Sequence, residues 1–280
     1  MLGALIIVFR EVIEAGLIVG IMLAVTQGVR GSRATIAAGV AAGVVAAMLV
    51  AAFAGAIASA LEGVGQELFN ASILIIAVVM LIWHNVWMAS HGRALAGEVR
   101  RVGDQVRTGA RSILALGVVC AVAVTREGSE VALFMYGLAA SAGSTTSDLI
   151  IGSALGLLAG VAVTAVTYLG LVVIPPRRLF AVTTLLISFL AAGLAAQAAL
   201  FLQQAGVVTA LEGTAWDTSA LLSDRSLLGR VLHTLIGYSD QPSVLQVLIY
   251  VATLAVIATL TRTFAPRRVA APTTRPAAAE

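Results

Sequence analysis

Two short stretches repeat one pattern of charge: Arg10-Glu11-Val12-Ile13-Glu14 and Arg126-Glu127-Gly128-Ser129-Glu130. On a helix, positions i and i+3 share a face, so Glu11 and Glu14 project together, as do Glu127 and Glu130. Arg10 and Glu14 are i, i+4 neighbours, as are Arg126 and Glu130, so each guanidinium can hold one carboxylate ionised. If the two helices cross, four carboxylates converge, the logic of bundles that collect Glu from facing helices around metal ions. Carboxylate oxygens suit hard cations, and a lone cysteine, Cys120, argues against soft Cu(I). With one Arg and two Glu per motif, the pair balances a dication and leaves a trivalent ion one charge in excess. The structural alternative is a pair of Arg–Glu clamps, but a clamp needs one Glu per Arg and each motif supplies two.

Both motifs interrupt long apolar runs. Hydrophobic residues make up 60% of the 280 residues and charged residues 11%, with a mean hydropathy of +1.01. A soluble domain carries about 25% charge. This composition excludes a disordered chain, a disulfide scaffold and an ordinary cytosolic enzyme, and leaves a membrane protein. Inside a membrane a central Asp, Lys or Arg costs about 2.5–3.5 kcal/mol. Six motif charges at about 3 each would cost roughly 18 kcal/mol unpaired, so they must be paired, wet or ion-bound.

The elements that position them follow from run length. Apolar stretches long enough to span, about 20 residues, fall at 2–28, 34–60, 68–89, 112–140, 148–174, 179–204 and 243–264. The first has no basic residue ahead of it and contains Arg10, Glu11 and Glu14, so it reads as a retained helix and not a cleaved signal. The expectation is an all-α polytopic membrane protein with seven transmembrane helices. The loops after spans 1, 3 and 5 and the C-terminal tail hold thirteen of the 17 Arg, which the positive-inside rule makes cytoplasmic. The N-terminus is then outside, the C-terminus inside, and the net charge of +3 reflects sidedness and not nucleic acid. Three spans per motif copy make a 3+3 inverted repeat plus one helix: repeat A about 1–90, repeat B about 112–204, an outer loop 205–242 and helix 7 at 243–264. This 1–264 unit is followed by a disordered cytoplasmic tail, 265–280. Such repeats put a transporter's site near the midplane, and both motifs fall in the middle to outer half.

Within 205–242 the residues Leu227, Leu228, Val231, Leu232, Leu235 and Ile236 predict an amphipathic helix. Ser223 is its N-cap and Gly237 its end, with Arg230 and His233 turned from the apolar side. Glu67 and Asp217 are candidate outer-mouth acids or simply solvated ones. His84, deep in span 3, is a candidate ligand, a proton relay or a satisfied polar contact. Gly152, Gly156 and Gly160 form a ridge for helix packing. The sequence contains no nucleotide loop, nucleophile triad or zinc motif, which points away from an enzyme and from ATP-driven transport.

The paired Arg-Glu-x-x-Glu motifs on a seven-span chain resemble the oxidase-dependent iron permeases, a family with fungal high-affinity ferric and bacterial members. Gln66-Glu67-Leu68-Phe69, Trp216-Asp217-Thr218-Ser219, His233 and Gly237-Tyr238 extend the resemblance, and Trp83-His84-Asn85 is similar to a bacterial subgroup. The resemblance implies high-affinity iron uptake across the bacterial inner membrane by a multi-pass protein with no permanently bound cofactor, iron (Fe2+ or Fe3+) being the substrate. It implies Glu11, Glu14, Glu127 and Glu130 as metal ligands and Arg10 and Arg126 as their charge partners. It also implies a periplasmic oxidase, cupredoxin-like or iron-binding partner. The alternatives are a membrane diiron oxidoreductase, although neither motif has the usual Glu-x-x-His spacing, and a transporter of another divalent metal.

Overall fold

Long apolar stretches can satisfy their own backbone only as helices when water is absent. The computed structural model, which describes residues 1–61, 66–141, 145–170, 176–224 and 226–264, is helical accordingly, with no β-strand among the described residues. The helices are α1 (Leu2–Val25), α2 (Ser32–Leu61), α3 (Gln66–Arg107), α4 (Leu114–Ala140), α5 (Thr146–Tyr168), α6 (Pro176–Gln204), α7 (Leu227–Ile236) and α8 (Val244–Phe264). The tail 265–280, Glu62, Arg225 and the side chains of Arg93, Arg177, Arg178 and Arg230 lie outside the described residues.

Five helices are long and apolar enough to cross a membrane, through Ser32–Ala56, Gln66–Met88, Thr146–Tyr168, Ala181–Gln204 and Val244–Phe264. α1 and α4 are as long, at 24 and 27 residues, but each carries the three charges of its motif. Large apolar side chains such as Leu49, Phe53, Leu158 and Val251 are exposed on α2, α5 and α8, as a lipid-facing surface requires. The protein is an all-helical polytopic membrane protein.

Small residues set the pairing. Gly39 and Gly43 of α2 sit against the backbone of Gly117 and Ala121 in α4, and Gly128 of α4 against Ala47. Tyr136 donates to the Ala51 carbonyl at 3.1 Å. Residue numbers rise together along this contact, so α2 and α4 run parallel. On the other side Gly152 meets Met1 and Ala4, Gly156 meets Leu5 and Phe9, and Gly16 meets Thr164, so α1 and α5 also run parallel. A side chain at Gly39 or Gly156 would collide with backbone, which is how small residues bring membrane helices together. The tight turn 26–31 reverses the chain between α1 and α2, so α1 and α4 run in opposite directions.

Two apolar clusters fill the interior. One joins Ile7 of α1, Leu74 and Leu81 of α3, Phe134 of α4, Ile187 and Leu194 of α6 and Ile257 of α8. The other joins Ile18 and Met22 of α1, Ile36 of α2, Val99 and Val106 of α3 and Leu116 and Cys120 of α4. The motif residues lie between these clusters in sequence on both α1 and α4.

Three expectations need correction. The stretch 90–111, read as a loop, is helical through Arg107, so α3 is a single helix of 42 residues, about 63 Å at 1.5 Å per residue. Leu95, Val99, Val102 and Val106 recur at helical spacing and pack into the second cluster, while Glu98–Arg101 and Asp104–Arg107 pair on the exposed side. The outer amphipathic helix exists as α7 but starts three residues later. Ser226 is the N-cap, its Oγ accepting from Gly229 N at 2.9 Å and donating to Ser223 O at 2.7 Å. His233, expected to turn from the apolar side, faces α6. The Gln197 amide of α6 donates to its Nε2 at 2.7 Å, leaving Nδ1–H for the Tyr238 carbonyl at 2.6 Å. A half-buried imidazole needs both partners. Gly237 ends the helix in the left-handed region, φ 68°, against Gly193 of α6, where a side chain would meet backbone.

Candidate metal centre

Three helices build one polar layer. α1 contributes Arg10, Glu11 and Glu14, α4 contributes Arg126, Glu127 and Glu130, and α3 crosses between them with His84, Asn85 and Trp87. Arg10, Glu11, Glu14, His84, Asn85 and Glu127 are all buried, Arg10 with only 1% of its surface exposed.

The i, i+4 pairs form on both motifs. Arg10 Nε donates to Glu14 Oε1 at 2.8 Å, and Arg126 Nε to Glu130 Oε1 at 3.1 Å. Arg126 also lies 3.8 Å from Glu127 Oε1. α3 holds each guanidinium differently: Arg10 Nη1 donates to Asn85 Oδ1 at 2.9 Å, whereas Arg126 Cζ stacks 4.0 Å over the Trp87 ring. Trp87 in turn stacks on His91 at a centroid distance of 5.2 Å. Neither Asn85 nor Trp87 is marked by spacing. For Asn85 the signals are a polar residue in an apolar run and its place in Trp83-His84-Asn85, and Trp87 offers none.

His84 sits between the motifs. Its Nε2 lies 3.4 Å from Glu14 Oε2 and 3.9 Å from Glu11 Oε2, and its Nδ1 faces Glu130 Oε2. Glu11, His84, Glu127 and Glu130 each offer one ligand atom, all within 4.8 Å of one another. Ligand atoms about 2.1 Å from a shared ion are at most about 4.2 Å apart, close to the spread of this set. Among the described residues no hydrogen-bond donor reaches either carboxylate oxygen of Glu11, or Oε2 of Glu14, Glu127 and Glu130. A buried carboxylate without donors is costly, and a cation is the group that best satisfies three of them at once.

The other candidates lie apart. Glu67 is exposed in the first turn of α3, 17 residues before His84 and about 26 Å away along the helix. Asp217 is exposed between α6 and α7, accepting from Ser219 Oγ at 2.6 Å, Ser219 N at 3.0 Å and Gln241 Nε2 at 2.9 Å. The Ser219 hydroxyl and amide hold its carboxyl below the usual carboxylate range. On the side of the layer away from the first cluster, a cavity of ≈ 20 Å³ touches Glu14 and Glu127 and is otherwise lined by apolar residues including Leu17, Ile18, Met88 and Leu95. Room for one water needs about 10–15 Å³, so this cavity holds roughly one.

Comparison with known proteins agrees with this chemistry. The model of the iron permease FTR1 family matches residues 1–269. Two relatives named ferrous iron permease EfeU, from Shigella flexneri and Shigella sonnei, are each 34% identical over 186 residues, which is 66% of this chain and 78% and 67% of theirs. No solved structure matches the chain. The family is one of transporters and not of enzymes. With its match spanning both motifs and all eight helices to Phe264, the chain belongs to the iron permease FTR1 family.

Proposed function

We propose that this permease carries Fe2+ inward across the bacterial inner membrane, binding it in the buried layer where α1, α3 and α4 meet. The observation that carries the proposal is the convergence of Glu11, Glu127, Glu130 and His84 within 4.8 Å. Glu14 completes the four motif carboxylates, and Arg10 and Arg126 balance them. Four Glu and two Arg leave two negative charges, which a dication neutralises. In a buried layer neutrality matters, because an excess charge away from water is expensive. The name of the two relatives, ferrous iron permease, favours the same oxidation state.

The architecture we infer is seven transmembrane helices, α1–α6 and α8, with the N-terminus outside and the thirteen-Arg side cytoplasmic. α1–α3 and α4–α6 form a 3+3 inverted repeat in one 1–264 unit. Its support is the crossed pairing, in which the first helix of each repeat lies parallel to the second helix of the other. Glu67 and Asp217 receive the ion at the outer mouth, and a periplasmic cupredoxin-like or iron-binding protein delivers it.

Uptake of radiolabelled Fe2+ into proteoliposomes tests the proposal, with Mn2+, Zn2+ and Mg2+ as competitors. Glu11→Gln and Glu127→Gln proteins that melt at the wild-type temperature should take up iron at background rate. Wild-type rates in both variants would remove the centre from the transport path. Stronger competition by another dication than by unlabelled Fe2+ would reassign the substrate.

A further inference from the structure

Four motif carboxylates suggest a symmetric site, but they are not equivalent. Glu14 accepts at Oε1 from Arg10 Nε at 2.8 Å, and Arg10 is itself held by Asn85 at 2.9 Å. Glu14 Oε2 lies 3.4 Å from His84 Nε2, outside the set of Glu11, His84, Glu127 and Glu130 that converges within 4.8 Å. Glu11 has both oxygens without a hydrogen-bond donor, whereas Glu14, Glu127 and Glu130 have one each. His84 lies 3% exposed, with one ring nitrogen toward each motif.

We infer that the iron ligands are Glu11, Glu127, Glu130 and the imidazole Nδ1 of His84, and that Glu14 is not a ligand but the carboxylate that orients His84. This rests on the iron reading of the same site. A metal-bound His donates its other ring N–H to a carboxylate or carbonyl, which fixes its tautomer and ring plane. Glu14, pinned by Arg10, stands at Nε2 in that role. The second motif then supplies two ligands, the first motif one, and α3 the fourth. One nitrogen among three oxygens also makes His84 the residue that sets selectivity. Mg2+ and Ca2+ take oxygen ligands, whereas imidazole suits iron and later transition metals. The competing role for His84 is a structural link between Glu14 and Glu130 that never touches the ion.

The chain has three histidines, His84, His91 and His233, so the test is clean. Purified full-length protein is loaded with Fe2+ without oxygen, and nitric oxide is added to make the iron visible to pulsed electron paramagnetic resonance. Wild-type protein should show imidazole nitrogen modulation that changes pattern when histidine is isotopically labelled. His91→Ala and His233→Ala should keep it. His84→Ala, and His84→Asn as a variant that retains a polar side chain, should lose it, with Fe2+ affinity reduced about 10-fold or more and competition by Mg2+ increased. Glu14→Gln should keep the modulation while weakening binding about 10–100-fold, as the loss of an orienting partner does. Bound iron without imidazole modulation in the wild-type protein, or modulation that survives in His84→Ala, overturns the inference and leaves the iron reading standing. Wild-type protein that binds no Fe2+ overturns both.

Discussion

The two motif arginines share one pattern of charge and have different physical settings. Arg10 is fully buried and tied to Glu14 and Asn85, whereas the Arg126 side chain is 33% exposed and stacked on Trp87. Removing one partner of a buried pair strands the other charge, at about 3–5 kcal/mol. An exposed pair with a cation–π contact is worth about 1–2 kcal/mol. Arg10→Ala should therefore lower the melting temperature of the detergent-purified protein well below that of Arg126→Ala. Adding Glu14→Gln to Arg10→Ala should recover part of the loss, because the stranded charge is gone. Equal shifts for the two arginines, or no recovery in the double variant, would contradict this asymmetry. The motif charges are legible in the sequence because six ionised groups inside apolar runs have few possible roles. What they touch is not. Asn85 and Trp87 reach them from 75 and 39 positions away, and nothing local says which face of α3 turns inward.

At the scale of elements, helix positions follow from run length. The apolar stretches at 34–60, 112–140 and 243–264 match α2, α4 and α8 to within two residues. The misreading of 90–107 has a physical source. That stretch mixes Arg, Glu, Asp and Gly with Leu95, Val99 and Val106, and a transfer scale averages them to polar, although their spacing gives one apolar face. This face packs on Met22, Ile36 and Leu116, so the extension of α3 is part of the bundle. Val99→Asp would bury an unpaired carboxylate there and should cost about 4 kcal/mol or more. Glu98→Gln, one residue away on the exposed side, loses only a surface pair with Arg101 and should stay within about 0.5 kcal/mol. Size-exclusion profiles and melting curves of the two variants check this. A benign Val99→Asp would mean that the extension detaches in the membrane. The same difficulty explains the shifted start of α7. Ser223 and Ser226 are equally good caps by type, and only the bond from Gly229 N selects Ser226.

At the scale of the molecule, the polar layer is enclosed between two apolar clusters. On α1 the side toward Val25 is the longer one, about 21 Å from Glu11 at 1.5 Å per residue. Ile18, Met22, Val99, Leu116 and Cys120 fill that side beyond a cavity of ≈ 20 Å³. An ion leaving that way must displace packed side chains, so this conformation is closed and transport requires another. The direction of the exit then depends on which side of the membrane holds that cluster, and the arginines give the expectation. Arg30 and Arg33 follow α1, and Arg100, Arg101, Arg107 and Arg111 lie at the end of α3, all next to or beyond the second cluster. If positive charge is retained in the cytoplasm, that cluster lies on the inner side and the α6–α7 segment with Asp217 outside. Reporter fusions check it. A green fluorescent protein joined at Gly109 or after Phe264 should fluoresce, and alkaline phosphatase at either place should be inactive. Phosphatase inserted at Gly213 should be active. The reverse pattern would turn the proposed path around and make the same buried centre the first step of export.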